Sequence, residues 1–322
     1  MQRLILIFFI ASELCYYLLI AQTGVVEYFS SNLFLIAPLP IGGIIGSLLV
    51  SYIKIDFKNK ISLFLTIQLI MSFLYPNFNM LTLFILGFAV GSLAPLIINE
   101  IKKTSLLELG LALSVSYVTG TLLFNYEVEA RGIIAITLTT ITLLASRFLP
   151  TNEPIKKSNQ EFALLMMVLW VFLDSALFEA LSRDITISIW RDGFTFQIAL
   201  FHVIGVFCAL FFKIEKNQKS LLILTLFAAS YLFYFLREGF ILSIVYPFVI
   251  SYYNVVILQT IAKKDFKTIT FYMIFIGWMA SGAGLFVALS NLILFVPIIL
   301  LLAIFKIMLS EYKPNNKEIT YV

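Results

Sequence analysis

The sequence predicts an all-α polytopic membrane protein, with twelve transmembrane helices in two pseudo-symmetric six-helix halves. Three observations lead there. The chain of 322 residues is 61% hydrophobic and only 12% charged, whereas a water-soluble domain carries about 25% charged residues. Its apolar residues come in runs separated by short polar breaks. Each run is near the roughly 20 residues that a helix rising ~1.5 Å per residue needs to cross ~30 Å of hydrocarbon. Finally, the first and second halves of the chain resemble each other at an offset of about 160 residues.

Taken in order, the first apolar run, 3–21, follows Arg3 and is interrupted by Glu13. No small-x-small cleavage site follows it, so it reads as a retained helix and not a removed leader. Runs 31–53 and 61–76 flank the lysine-rich stretch KIDFKNK. Run 79–98 is divided from its predecessor only by Tyr75-Pro76-Asn77, and 105–124 and 132–149 complete the first half. The segment PTNEPIKKSNQE, 150–161, holds two prolines and four charged residues and reads as a cytoplasmic linker. The second half comprises 162–182, 194–212, 219–236, 239–261, 269–289 and 292–310, the last two divided at Ser290-Asn291. The domains are therefore expected at 1–149 and 162–310, with a cytoplasmic tail at 311–322. Pro38, Pro40, Pro95, Pro247 and Pro297 are expected to kink their helices. Cys15 and Cys208 both lie inside apolar runs and read as small buried hydrophobes.

Positive charge collects on the cytoplasmic side of membrane proteins. With both termini placed there, 18 of the 22 lysines and arginines fall inside, and only Arg131, Arg183, Arg191 and Arg237 fall outside. Merging the third and fourth runs throws the later lysines onto the wrong side, so the asymmetry supports the weak turns and the orientation together. The formal net charge of +4 is this bias and calls for no nucleic-acid partner.

The repeat is visible in three places. KIDFKNKISLFLTI (54–67) matches KIEKNQKSLLILTL (213–226), IKK (101–103) matches IAKK (261–264), and VTGTLLF (118–124) matches ASGAGLF (280–286). Each pair falls at equivalent positions of the two halves. Parallel repeats of this kind mark transporters whose halves rock about a site near the bilayer midplane.

With the 6+6 count and the central linker, GFAVGSLAPLIINEIKK (87–103) and the following GLALSVSYVTG resemble the fourth and fifth helices of the major facilitator superfamily. The loop between the second and third helices departs from that family's G-x-x-x-D-R/K-x-G pattern. Gly46 is followed by Ser47, Leu48, Leu49 and Val50, and Lys54, Asp56, Lys58 and Lys60 keep the charge without the spacing. The resemblance implies a compact secondary transporter in which helices one and seven line a central cavity and helices two and eleven meet across the halves. Gly42, Gly43 and Gly46 in helix two, with Gly277, Gly282 and Gly284 in helix eleven, are then expected to form packing and gating faces.

Glu13 and Asp174 lie about ten to twelve residues into helices one and seven, roughly 15–18 Å deep. Ionised groups at that depth are costly unless paired or hydrated, and they mark functional sites by default. They are the candidates for proton coupling or cation binding. Glu179 has Arg183 four residues on and reads as a structural i,i+4 pair. Tyr16, Tyr17, Ser116, Tyr117, His202, Tyr252, Tyr253 and Asn254 are the candidates for the substrate cavity. The superfamily's copper importers carry Met-x-x-x-Met and His-x-x-x-Met; here Val171 follows Met167 and Val206 follows His202, so no metal ligand or cofactor is assigned. The expectation is a monomeric transporter in the cytoplasmic membrane. It moves a small neutral or cationic solute by alternating access, coupled to protons. A copper-type carrier or an intramembrane lipid-modifying enzyme is the alternative. The chain has one histidine and scattered carboxylates, which is little to build an enzyme from.

Overall fold

The computed structural model describes residues 2–29, 33–150, 160–184 and 186–312. The linker charges Glu153, Lys156 and Lys157 and the tail lysines Lys313 and Lys317 lie outside the described residues. Among the described residues, all regular structure is helical. In chain order the helices are α1 (Gln2–Tyr28), α2 (Phe34–Leu49), α3 (Phe57–Ser72), α4 (Met80–Ile101), α5 (Leu106–Leu123) and α6 (Arg131–Ser146). They continue with α7 (Leu164–Arg183), α8 (Thr195–Phe211), α9 (Lys216–Phe235), α10 (Gly239–Ile261), α11 (Phe266–Leu289) and α12 (Val296–Tyr312). Among the described residues, eight helical stretches are long and apolar enough to cross a membrane, and α2, α8 and α12 fall among the shorter apolar helices. The chain is a multi-pass membrane protein.

Two helices, α3 and α11, start earlier than the sequence expectation for one physical reason. A helix begins where a polar side chain can take its unpaired amides, which is upstream of the first apolar residue. Asp56 accepts the amide of Lys58 at 3.2 Å and starts α3 four residues early. Asp265 accepts from Thr268 at 3.0 Å and starts α11 three residues early. Reciprocal capping boxes, Asn79 with Thr82 and Ser105 with Glu108, open α4 and α5. At the other ends, α1 outruns its expected limit through a π-helical stretch, Tyr17–Gly24, and α3 stops at Ser72. The chain does turn at 73–79 and at Asn291, which takes a left-handed φ of 57°. Of the five prolines expected to kink helices, Pro95 and Pro247 sit inside unbroken ones, and Pro38 stands where α2 breaks at Ala37 between Leu33–Ile36 and Pro38–Leu49. Pro38 and Pro297 occupy first turns, where a missing amide costs nothing, and Pro40 follows in the first turn of Pro38–Leu49.

Packing choices recur six helices on. α1 lies on α5 and α6, α2 on α4, and α3 on α4 and α6; likewise α7 lies on α11 and α12, α8 on α10, and α9 on α10 and α12. The two sets meet chiefly through α5 with α8 and α2 with α11. Apolar side chains gain little by leaving lipid for each other, so membrane helices rely on close backbone approach. Gly42 and Gly46 press on the carbonyls of Phe84 and Phe88, while Gly87 and Gly91 press back on those of Leu39 and Gly43. Gly205 meets the Phe248 carbonyl in the corresponding α8–α10 contact.

The ends of the bundle differ in charge. At one end Arg3 donates to the Lys103 carbonyl at 2.7 Å and reaches Glu108 at 3.3 Å. At that same end Lys264 pairs with Glu161 at 2.7 Å. The Lys264 ammonium holds the Glu161 carboxyl below the usual carboxylate value. The other end carries Arg131, Arg183, Arg191 and Arg237 and, among the described residues, no lysine.

Candidate functional site

A cavity of about 240 Å³ lies between the two helix sets, with walls from α1, α4, α5, α7, α8, α10 and α11. Glu13 and Asp174 both line it. Glu13 is buried, and its Oε2 accepts from Gln68 Nε2 of α3 at 3.1 Å. The same amide reaches Thr139 Oγ1 of α6 at 3.2 Å, which fixes the carboxylate against its own helix set. Asp174 is held by two hydroxyls from α10. Tyr246 donates to Oδ1 at 2.8 Å and Tyr253 donates to Oδ2 at 2.6 Å. Such short bonds to an acid are roughly twice as strong as neutral ones. They allow a carboxylate to persist where bare burial costs several kcal/mol.

Two aromatic contacts join the helix sets at this level. Tyr117 of α5 stacks on His202 of α8, with centroids 4.4 Å apart and planes within 5°. His202 Nδ1 shares a 2.6 Å hydrogen bond with Ser251 of α10. Tyr17 of α1 meets Trp278 of α11 edge-on at 6.5 Å, and its hydroxyl donates to the Gly277 carbonyl at 3.4 Å. Trp278 then donates to Ser47 of α2 at 3.2 Å, and its ring lies on the bare backbone of Gly43. Tyr17 and Gly277 both belong to π-helical stretches, a local widening that often marks functional positions.

Toward the arginine end the cavity meets an aromatic cluster: Phe124, which follows α5, Phe178 of α7 and Trp190 from the α7–α8 connection. Their centroids stand 4.9–6.3 Å apart. Beyond it, Arg131 is fully buried. It donates to the carbonyls of Phe124 (2.8 Å), Tyr126 (3.1 Å) and Leu19 (3.4 Å) and to Thr23 Oγ1 (3.1 Å). Glu27 stands 3.6 Å from Arg131 and pairs with Arg191 of the other helix set. An ion pair and three rings therefore join the sets at that end.

Most of the expected cavity residues are on its wall: Tyr17, Ser116, Tyr117, His202, Tyr253 and Asn254. Tyr16 and Tyr252 are not. Tyr16 turns toward α3 and shares a 3.1 Å bond with Ser72, and Tyr252 packs on Phe248 at 5.9 Å. Neighbouring helical residues point about 100° apart, and Tyr16 and Tyr252 fall on the side of their helices turned away from the cavity. The expected glycine face between α2 and α11 is also narrower than the sequence implied. Gly42 and Gly46 are taken up by α4, Gly284 lies against Ala176 and Ser175 of α7, and Gly282 has nothing within 4 Å. A side chain on Gly277 would meet only Met273 of its own helix, which leaves Gly43 to meet α11. Glu179 and Arg183 stand 3.7 Å apart, as their spacing implied, and neither is on the wall.

Sequence reasoning missed Gln68, Tyr246 and Trp190. Tyr246 was detectable, because it precedes Tyr253 by seven residues and so lies two turns away on the same face. Gln68 carried no such signal. Trp190 sits in a connection whose Ile187, Ser188 and Ile189 are all buried, and its apolar composition was the available clue. Among the described residues, no group of three or more His, Cys, Asp or Glu side chains is placed to hold a metal.

The arrangement of an all-helical bundle around a central cavity is that of the major facilitator superfamily, and the chain has a fold of this kind. The human organic anion transporter MFSD10 (TETRAN) superposes with a TM-score of 0.59 at 14% identity, over 95% of this chain and 98% of that one. FucP, a Major Facilitator Superfamily transporter solved in the outward conformation, superposes with a TM-score of 0.53 at 13% identity, over 90% and 98%. No family model and no curated protein matches the sequence.

Proposed function

We propose that the protein is a secondary transporter that moves a small neutral or cationic solute by alternating access and couples that movement to protons through Glu13 and Asp174. The observation that carries this reading is the pair of carboxylates on one cavity wall, from α1 and from α7, helices six apart in a bundle whose packing repeats at that interval. In this reading the twelve helices all span the bilayer and form two six-helix domains, 1–149 and 162–310, with the lysine-rich end and both termini in the cytoplasm. The positive-inside bias supports that orientation. The Glu27–Arg191 pair and the ring cluster then close the outer end, and they part when the cavity opens outward. One structural neighbour is described as an organic anion transporter. The wall of this cavity holds two acids and no lysine or arginine, which favours a neutral or cationic cargo here.

The test is solute-dependent proton movement in proteoliposomes loaded with a pH-sensitive dye, with pools of small amines and neutral solutes added outside. At least one pool is expected to change the internal pH. The double variant Glu13→Gln/Asp174→Asn is expected to abolish the signal. No response to any pool, or an unchanged response in the double variant, removes proton coupling from the proposal.

A further inference from the structure

We infer that the cavity takes a ring-bearing solute, neutral or singly cationic, and that the Tyr117–His202 stack is the surface that reads the ring. This rests on the transport reading and narrows its substrate.

The first support is the wall itself. Tyr17, Phe124 and Tyr117 come from one helix set, and Phe178, Trp190 and Tyr253 from the other. Most of the ring pairs near the cavity are tilted or edge-on: Tyr17–Trp278 at 83°, Phe124–Phe178 at 85°, Phe178–Trp190 at 63°. The parallel exception is Tyr117 on His202. His202 is buried, whereas Tyr117 is only half-buried and lines the cavity. A half-covered ring in a parallel stack is a platform on which a further planar ring gains offset-stacking contact. A ligand cation gains as well from sitting over such a face.

The second support is that the two acids and the histidine of the wall are already engaged. Both Asp174 oxygens accept tyrosine hydroxyls, Glu13 Oε2 accepts Gln68, and His202 Nδ1 is bonded to Ser251. With no lysine or arginine on the wall, a carboxylate or phosphate gives up its water and meets no positive partner. A polyol loses many hydrogen bonds and regains few. The third support is size. At about 240 Å³ the cavity is below the ~300–1,000 Å³ of sites that hold drug-sized ligands. One or two fused rings suit it.

Four probes separate these features: indole, tryptamine, indole-3-acetate and glucose. Binding to the full chain in lipid nanodiscs is measured by isothermal titration calorimetry, with empty discs subtracted. Indole and tryptamine are expected to bind at least about tenfold more tightly than indole-3-acetate, the cost of an unpaired anion, and glucose is expected to give no binding. Removing the platform with Tyr117→Leu weakens both ring ligands by about five- to tenfold, while Tyr117→Phe stays within about twofold. If Tyr117→Leu does not fold, His202→Leu removes the other ring of the stack and is read the same way. Equal binding of the carboxylate, binding of glucose, indifference to loss of the stack, or no binding by any probe overturns the inference. Uptake by proteoliposomes is scored separately. Ring binding without flux sinks the transport reading and leaves the ring platform standing. Flux of glucose without ring binding does the reverse.

Discussion

The bond between Tyr253 and Asp174 offers the sharpest test of how the second-half acid is kept in the membrane. Tyr253→Phe removes one oxygen and leaves the ring packed beside Phe227, 5.6 Å away. What is lost is a 2.6 Å donation to Oδ2, and Tyr246 still serves Oδ1 at 2.8 Å. A hydrogen bond to a charged group contributes about 1.5–3 kcal/mol, and an acceptor left unpaired in a buried site costs the rest of its desolvation. Tyr253→Phe is therefore expected to destabilise the protein by about 1.5–3 kcal/mol. Asp174→Asn weakens the same bond from the other side, so the two changes must not add. In a double-mutant cycle of reversible unfolding in mixed micelles, the coupling is expected at about 1–2 kcal/mol, inside the range for residues in direct contact. Tyr252→Phe is the control, because its hydroxyl has no hydrogen-bond partner among the described residues. A coupling near zero, or a Tyr252→Phe cost equal to that of Tyr253→Phe, refutes the assignment of those hydroxyls to the carboxylate.

The remaining predictions concern packing and the arginine end. Gly43→Ala puts a methyl into the Trp278 indole and is expected to cost about 1–3 kcal/mol by overpacking. Gly282→Ala, with nothing within 4 Å, is expected to stabilise by up to about 1 kcal/mol through helix propensity; the same micelle unfolding assay reads both. Arg131→Met removes four donated hydrogen bonds, to three carbonyls and the Thr23 hydroxyl, and the ion pair with Glu27, and is expected to cost more than about 3 kcal/mol. Arg191→Ala removes a pair whose arginine is 46% exposed, and its stability cost is expected below about 1 kcal/mol. If the two arginines cost the same, the division into a structural arginine and a mobile one is wrong.

Much of the fold was legible in the sequence because a membrane demands long apolar runs, and those runs are visible residue by residue. The turns at 73–79 and Asn291 could be placed because lysine spacing disfavours their absence. The starts of α3 and α11 were misplaced, since Asp56 and Asp265 cap helices through local hydrogen bonds that a hydropathy reading passes over. At the site, Glu13 and Asp174 stood out because a charge in hydrocarbon is expensive. Their partners Gln68 and Tyr246 did not, because an amide or a phenol in a membrane helix is common. Tyr16 and Tyr252 were assigned to the cavity with their neighbours, but the rotation of α1 and α10 turns them toward Ser72 and Phe248.

By itself, then, the sequence determined that this chain lives in a bilayer, which end of each helix gathers lysine, and which two acids to look for in its apolar helices. Each follows from the cost of moving a group from water into hydrocarbon, a property of one residue and its near neighbours. Only the tertiary structure decided which hydroxyls hold Asp174, which helix Gly42 and Gly46 press against, and that Glu27 reaches Arg191 from 164 positions away. Those outcomes depend on how helices rotate about their axes and approach one another. The rotation is set by the summed packing of many side chains, and no single stretch of sequence encodes that sum.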